Sequence, residues 1–462
     1  MRGSACGRCN TFGSLCKCEA SDCPGVFCFG RFAKVGTKRQ QSTVRENRRN
    51  TEVTDMINPN MTALGKSSSA IRALAAYGAR RKQEIGAERV CDYSLGNPNV
   101  PCPQVITDCM RRLLEEETPA ALHAYTASAG SMEARAAVAG YVNRTYGLAA
   151  EAGDVYMTAG AAASLTITLR AVSAAGEEVI VFTPYFPEYK VFIENGGAAV
   201  REVPVRADDF QIDFAALEAA FSEKTAALIV NSPNNPTGAI LSAETLAALG
   251  DFLRGKEALY GKEIYLISDE PYREIVYDGC RAAFPANYYD DTIICYSYSK
   301  SLSLPGERIG YILVSPRAGS RADLFAAICG AGRSLGYVCA PSLLQRVVAE
   351  NQGVCANFDV YKENRSLLLA KLQAFGYSFI PPEGAFYLFL AAPDGDGNAF
   401  SEAAKKYELL LTPSDSFGMP GYVRLSYCIS TEEVLRSLSA FRALAADYGI
   451  LPEQQSHSKQ SK

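Results

Sequence analysis

Five apolar runs, each five or six residues long, recur through the middle of the chain at Glu178–Thr183, Ala226–Asn231, Ile264–Ser268, Thr292–Ser297 and Ile309–Val314. They are apolar at nearly every position rather than at alternate ones, the mark of strands buried on both faces. Helical or turn-rich segments separate several of them. That alternation predicts an α/β fold with a mostly parallel sheet covered on both sides. In such sheets ligands sit beyond the carboxyl ends of the strands. Polar residues stand at those ends: Asn235 after one run, Asp269 and Tyr272 after the next, and Lys300 after another.

A chain of 462 residues has room for two domains. Its formal net charge of -4 gives no reason to expect nucleic acid or an anionic membrane as a partner. No apolar run reaches the roughly 18 residues that suggest a membrane span, and the N-terminus lacks the apolar core of a secretory signal. Only two histidines occur, His123 and His457, the second in a polar tail. His-based triads and His-rich metal sites are therefore not expected, and acid–base work falls to Lys, Tyr, Asp, Glu or a cofactor. Of the 15 cysteines, six lie within the first 28 residues and the others are scattered through apolar segments. Scattered free cysteines read as a reducing, cytoplasmic compartment.

Residues 1–58 differ from the rest. The first 55 carry ten Lys and Arg against five Asp and Glu, with many Gly, Ser and Cys and little periodicity. The expectation is a disordered, basic, Cys-rich extension, with Met56 or Met61 a candidate start. Cys6-x-x-Cys9 has zinc-ligand spacing, but the later cysteines fit no zinc pattern, so no metal site is expected. Helices are expected at Ser69–Tyr77, Gln104–Glu117, Ser131–Tyr146, Val360–Phe375 and Thr431–Asp447, and further strands at Gly384–Leu390 and Gly421–Tyr427. Between the first two helices, Gly96-Asn97-Pro98-Asn99-Val100-Pro101-Cys102-Pro103 is too rich in proline for helix or strand and reads as an extended crossing loop. The expected organisation is a large domain over 106–330, a smaller α+β domain from 59–105 and 331–450, and a polar tail at 451–462.

Chemistry concentrates in Ser297-Tyr298-Ser299-Lys300 and the Arg308 that follows a Pro305-Gly306 break. A lysine emerging from a buried strand is easily desolvated, which lowers its pKa towards a nucleophilic amine. Hydroxyls and an arginine nearby suit a phosphate. A Schiff-base lysine beside a phosphate-bearing cofactor and a plain surface lysine both fit this stretch. Asn235-Pro236-Thr237-Gly238 is a turn that leaves an amide at a strand end, and many surface turns look alike. Asp269 ends a run, where a carboxylate is either paired or functional. Thr158-Ala159-Gly160-Ala161-Ala162 opens a helix with small residues, as phosphate sites do and as Ala-rich helices also do. Gly332-Arg333-Ser334-Leu335-Gly336 matches a nucleophile elbow but follows helical sequence, not a strand.

In this order and spacing the pieces resemble the class I/II aminotransferases, the aspartate-aminotransferase-like pyridoxal-phosphate enzymes of fold type I. The resemblance spans roughly residues 60–450. It rests on Gly96-Asn97-Pro98, His123-x-Tyr125 with Gly130, Gly160-Ala161, Asn235-Pro236-Thr237-Gly238, Asp269-x-x-Tyr272, Ser297-x-x-Lys300 with Arg308, Gly384-Ala385-Phe386-Tyr387 and Arg424-x-Ser426. The Ser-Leu-Gly-Asn-Pro-Asn-Val-Pro loop is similar to that of bacterial members. The resemblance implies a seven-stranded sheet in the large domain and pyridoxal 5'-phosphate as cofactor. It implies that Lys300 carries the cofactor covalently and shuttles a proton, that Asp269 pairs with the pyridinium nitrogen, and that Tyr272 and Asn235 bond the ring oxygen. Arg308, Ser297 and the Gly160, Ala161, Ala162 helix start would hold the phosphate, and Phe186, with Tyr185 next to it, would stack on the ring. Arg424, Asn235 and the Gly96 backbone would bind the substrate carboxylate. Tyr125 would reach the phosphate of a neighbouring subunit, implying a homodimer.

The implied reaction moves an amino group from an L-amino acid (aspartate first, aromatic residues or alanine also) to 2-oxoglutarate. A β C-S lyase would use the same cofactor residues. An effector-sensing regulator would need a DNA-binding helix pair before residue 60, and the first 55 residues show no amphipathic helix. Two departures stand out. Pro413-Ser414-Asp415-Ser416-Phe417-Gly418 has Ser414 and Asp415 where relatives often carry Gly and Ser, adding a charge beside the substrate-facing loop. Ala134-Arg135 replaces a usual Leu-Arg, a packing change.

Overall fold

The apolar runs become the interior of a seven-stranded sheet. Its strands are β1 (Val155–Thr158), β2 (Glu178–Thr183), β3 (Ala199–Pro204), β4 (Thr225–Asn231), β5 (Tyr265–Asp269), β6 (Thr292–Ser297) and β7 (Gly310–Val314). Their spatial order is β1-β7-β6-β5-β4-β2-β3. All neighbours run parallel except β7, which is antiparallel to both β1 and β6. The structure is a computed structural model and describes residues 57–66 and 70–452. The basic extension up to residue 56, with its Cys6 and Cys9 spacing and Met56, lies outside the described residues, as does the tail from 453.

Both faces of the sheet are covered, as near-continuous apolar strands require. Val179 and Val181 pack with Leu165 and Leu169 of the helix Ala161–Val172. Their neighbours Ile180 and Phe182 pack with Leu249 and Leu253 of the helix Ala243–Tyr260. The edge strand β3 breaks the pattern: only Val203 is buried in it, and Arg201 and Glu202 face solvent.

A second, antiparallel sheet comprises β8 (Tyr387–Ala391), β9 (Thr412–Pro413) and β10 (Tyr422–Ser426), in the order β9-β10-β8. The helices Asp359–Ala374 and Thr431–Asp447 pack with it, burying Leu368, Leu372, Phe441 and Leu444 against Leu388, Leu390, Val423 and Leu425. The expected strand from Gly384 starts only at Tyr387. Before it, Ala385 is left-handed at φ 55° and its carbonyl accepts from Tyr277 Oη at 2.5 Å, so the chain turns before it pairs. The helix Ala70–Ile85 runs further than its apolar core at Ser69–Tyr77 suggested. By itself, Pro59–Lys66 forms a short helix whose first turn is capped by Asn58, Oδ1 accepting from the Asn60 N–H at 3.0 Å. The Gly332–Gly336 motif ends the helix Arg321–Leu335, and Ser334 Oγ donates to the Ala331 carbonyl. It has no elbow geometry.

Candidate active site

One edge of the large sheet gathers the polar residues, and the strand directions explain why. In β4 and β5 the last residues, Asn231 and Asp269, are paired in register, and Asp269 is paired with Cys295 near the end of β6. β1 runs the same way as β6, so Gly160 and the start of its helix lie at this edge too. β7 runs the opposite way, so Arg308, two residues before it, is delivered there as well. Thr158 is opposite Gly310 in that pairing.

At this edge a cleft of about 290 Å³ is lined by Gly96, Ala161, Ala162, Phe186, Asn235, Asp269, Tyr272, Ser297, Lys300, Arg308 and Arg424. Gly160 stands behind it: a Cβ there would lie 2.7 Å from Arg308 Nη2, and its φ of 84° also disfavours a side chain. Tyr125 is not part of this cleft and is 95% exposed. The cleft also takes in Ser299, one of the hydroxyls beside Lys300, and Asn231 and Tyr387, to which the sequence assigned no role.

Lys300 follows β6 on a one-turn helix, Tyr298–Ser301, capped by Ser297. Its Nζ donates to the Gly96 carbonyl at 2.6 Å. Desolvation lowers its pKa to about 8, with the charges of Arg308 and Arg424 acting in the same direction. Ser297 Oγ and Ser299 Oγ are 2.7 Å apart, and Arg308 Nη1 reaches Ser299 Oγ at 3.4 Å. Arg308 has a left-handed backbone, φ 53°. Such strain collects at functional sites. The helix Ala161–Val172 begins at Gly160, leaving its first N–H groups without intrahelical partners.

Asp269 is buried, and burial raises its carboxyl to about pH 7. Tyr189 Oη donates to Oδ2 at 2.5 Å, while Oδ1 is buried with no partner. Its neighbour Glu270 turns the other way and pairs with Arg273, over whose guanidinium sit the rings of Tyr146, Phe284 and Tyr296. Asn231 ties the strand ends together, Nδ2 donating to the Asp269 carbonyl at 2.8 Å and Oδ1 accepting from the Asn235 N–H at 2.7 Å.

Arg424 lies on β10, is 2% exposed, and so points inward. Its Nη1 donates to Asn235 Oδ1 at 3.0 Å and Nη2 to the Ser94 carbonyl at 2.7 Å, while its buried Nε has no partner. Phe186 lines the cleft, whereas Tyr185 turns away and donates to Glu202 at 2.6 Å.

A sequence model of the family Aminotransferase class I and II matches residues 90–441. The chain belongs to that family. Class I and II aminotransferases depend on pyridoxal phosphate, and so does this enzyme. An amino transferase structure from Eubacterium rectale is 48% identical, with a TM-score of 0.84 over 85% of this chain and 99% of that one. An aspartate aminotransferase from Thermus thermophilus with maleate is 27% identical, with a TM-score of 0.75 over 84% of this chain and 100% of that one. Among curated relatives, an aspartate aminotransferase of Thermotoga maritima is 30% identical over 359 residues, 76% of this chain and 90% of its own. The aminotransferase architecture thus rests on the parallel sheet and on the family match alike. Among the described residues no helix is long and apolar enough to cross a membrane.

Of the residues not foreseen, Asn231 carried the same signal as Asp269, a polar side chain closing an apolar run. Tyr189 had none: it is one aromatic on the helix Glu188–Gly196, and only tertiary packing turns its hydroxyl under the sheet edge.

Proposed function

We propose that this aminotransferase acts on amino acids by ping-pong transfer, from an L-amino acid to a 2-oxo acid, with 2-oxoglutarate as acceptor and aspartate as the first donor to try. The observation that carries the reading is Asp269 Oδ1, buried without a partner in the cleft that also holds the Lys300 amine. An orphaned buried carboxylate oxygen is costly. A protonated ring nitrogen is the partner it lacks.

The residues fit the cofactor. Pyridoxal phosphate, when bound, supplies an aldehyde carbon that exchanges amines and a ring that accepts electron density from the substrate α-carbon. Lys300 is assigned the covalent attachment and, once freed, the movement of the proton at the α-carbon. Its lowered pKa leaves a usable share of free amine near neutral pH. Asp269 would keep the ring nitrogen protonated, Tyr272 and Asn235 would bond the ring oxygen, and Phe186 would cover the ring. Arg308, Ser297 and the start at Gly160, Ala161 and Ala162 would hold the phosphate, with Ser299 as a further donor. Arg424, Asn235 and the Gly96 backbone would hold the substrate carboxylate; the Asn235 contact sets the plane of the guanidinium. Tyr125, exposed here, is assigned to the phosphate site of a neighbouring subunit, in a homodimer. A cytoplasmic setting is supported by the nine cysteines among the described residues, all free.

The test is spectroscopic. Purified enzyme reconstituted with pyridoxal phosphate is expected to show the absorbance band of the covalently held cofactor, and Lys300→Ala to lose it. An unchanged band in Lys300→Ala would sink the assignment. Half-reactions with a panel of amino acids then rank donors, and release of ammonia and pyruvate from cysteine-type substrates without an acceptor would indicate elimination instead.

A further inference from the structure

Tyr387 begins β8 and is 2% exposed, yet its hydroxyl stands in the cleft. Three contacts fix it there. Its Oη lies 2.8 Å from Tyr272 Oη. It lies against Gly96, where a Cβ would come within 2.1 Å of the hydroxyl. And the guanidinium of Arg424 sits 4.7 Å from its ring centroid. One side chain thus touches the tyrosine assigned to the ring oxygen, the backbone that holds the Lys300 amine, and the arginine assigned to the substrate carboxylate. Its ring also meets Tyr272 edge-on, centroids 5.5 Å apart at 83°.

Each tyrosine hydroxyl has one proton, so only one of this pair donates to the other. The direction matters. If Tyr272 donates to Tyr387, it presents only lone pairs to the cleft. If Tyr387 donates, Tyr272 keeps its proton for an acceptor in the cleft. Arg424, which sits over the Tyr387 ring, favours the second. A cation over a phenol ring makes its hydroxyl more acidic, and the more acidic hydroxyl is the better donor. Burial pushes Tyr387 up to about 12, with Arg424 and the Tyr272 contact opposing and Cys428 adding to the rise. Burial and the Tyr387 contact push Tyr272 well above its usual value, with Asp269 adding to this and Arg424 opposing it.

We infer that Tyr387 is a positioning residue: its hydroxyl donates to that of Tyr272, which leaves the Tyr272 proton directed into the cleft, and Arg424 makes it the donor. The inference rests on the proposed assignment of Tyr272 to the cofactor ring oxygen. It links the carboxylate clamp to the hydrogen bond that tunes the cofactor.

The test titrates the absorbance band of bound pyridoxal phosphate in the wild type, Tyr387→Phe, Tyr272→Phe and the double variant. A donor to the ring oxygen stabilises its charged form, so losing that donor, or the partner hydroxyl that polarises and orients it, should raise the pH at which the band converts. Tyr387→Phe should shift that midpoint upward by about half a unit or more, in the same direction as Tyr272→Phe. In the Tyr272→Phe background it should add nothing, because Tyr387 acts through Tyr272. The turnover number should fall about three- to ten-fold, the worth of one neutral hydrogen bond. A wild-type midpoint in Tyr387→Phe overturns the inference, and so does an equal shift in both backgrounds. Should Tyr387→Phe not fold, Gly96→Ala keeps both tyrosines and presses a methyl group onto the Tyr387 hydroxyl. Its midpoint should also rise, and an unshifted one overturns the inference. A band that survives Lys300→Ala would instead strike the proposed site itself.

Discussion

The Asp269 carboxyl accepts from Tyr189 and leaves Oδ1 buried without a partner. In the cofactor-free chain this has a thermodynamic sign. The folded-state pKa is raised from 3.8 to about 7 by desolvation. Below about pH 4 the group is protonated in both folded and unfolded chains. Between about 4 and 7 the unfolded chain releases a proton that the fold retains, so stability falls as pH rises through this window. Asp269→Asn should remove the dependence: the cofactor-free variant should be more stable than the wild type at pH 8, by on the order of 2–4 kcal/mol, and nearly equal to it at pH 4. Its affinity for pyridoxal phosphate should drop at least about ten-fold, the worth of one charged hydrogen bond. Thermal melts at the two pH values and a binding titration check both halves; a stability difference independent of pH would contradict the assignment. At this scale the place of Lys300, Asp269 and Asn235 in the cleft was legible because each follows an apolar run that the sequence marks. Tyr189 and the pairing of Tyr387 with Tyr272 were not, since both depend on contacts between segments far apart in the chain.

Among elements, the site is made by directions rather than by any single strand. Every edge of the large sheet that contributes is a carboxyl end except that of β7, whose reversal brings Arg308 beside Gly160. The approach is tight enough to test. Gly160→Ala places a methyl group 2.7 Å from Arg308 Nη2 at a backbone angle that favours glycine. The fold should survive with a cost of about 1–3 kcal/mol, while affinity for pyridoxal phosphate falls at least about ten-fold as Arg308 is pushed aside. Calorimetry and cofactor titration separate the two effects, and a cofactor affinity unchanged from wild type would rule out the phosphate assignment for this corner. The five apolar runs matched β2, β4, β5, β6 and β7 to within a residue at each end. The edge strand β3 escaped because solvent reaches most of its side chains, leaving no apolar signal to read. The turn at Gly384–Phe386 escaped because its sequence is as apolar as the strand it precedes.

For the whole molecule the telling residue is Tyr125, 95% exposed although an aromatic ring gains by burial. If it completes the site of a second subunit, two defective chains can repair each other. Mixing Lys300→Ala with Tyr125→Ala and letting subunits exchange would give mixed dimers with one site intact. For random pairing at equal amounts, activity should reach about a quarter of wild type, since half the dimers are mixed and each has one good site. Activity no higher than that of the unmixed variants would show that Tyr125 serves its own chain or none. Five of the seven strands were within reach of sequence because buried strands advertise themselves. Whether a partner supplies anything was not, because an exposed residue in one chain looks the same whether it is destined for water or for a neighbour.

The place of β7 as the last strand of the large sheet in the chain also sets an order in time. By the time Val314 leaves the ribosome, all seven strands of the large sheet have been synthesised, along with Lys300, Asp269, Ser297 and Arg308. Arg424 comes only with β10, near the end of translation. The residues assigned to the phosphate are thus made early, and the arginine assigned to the carboxylate last.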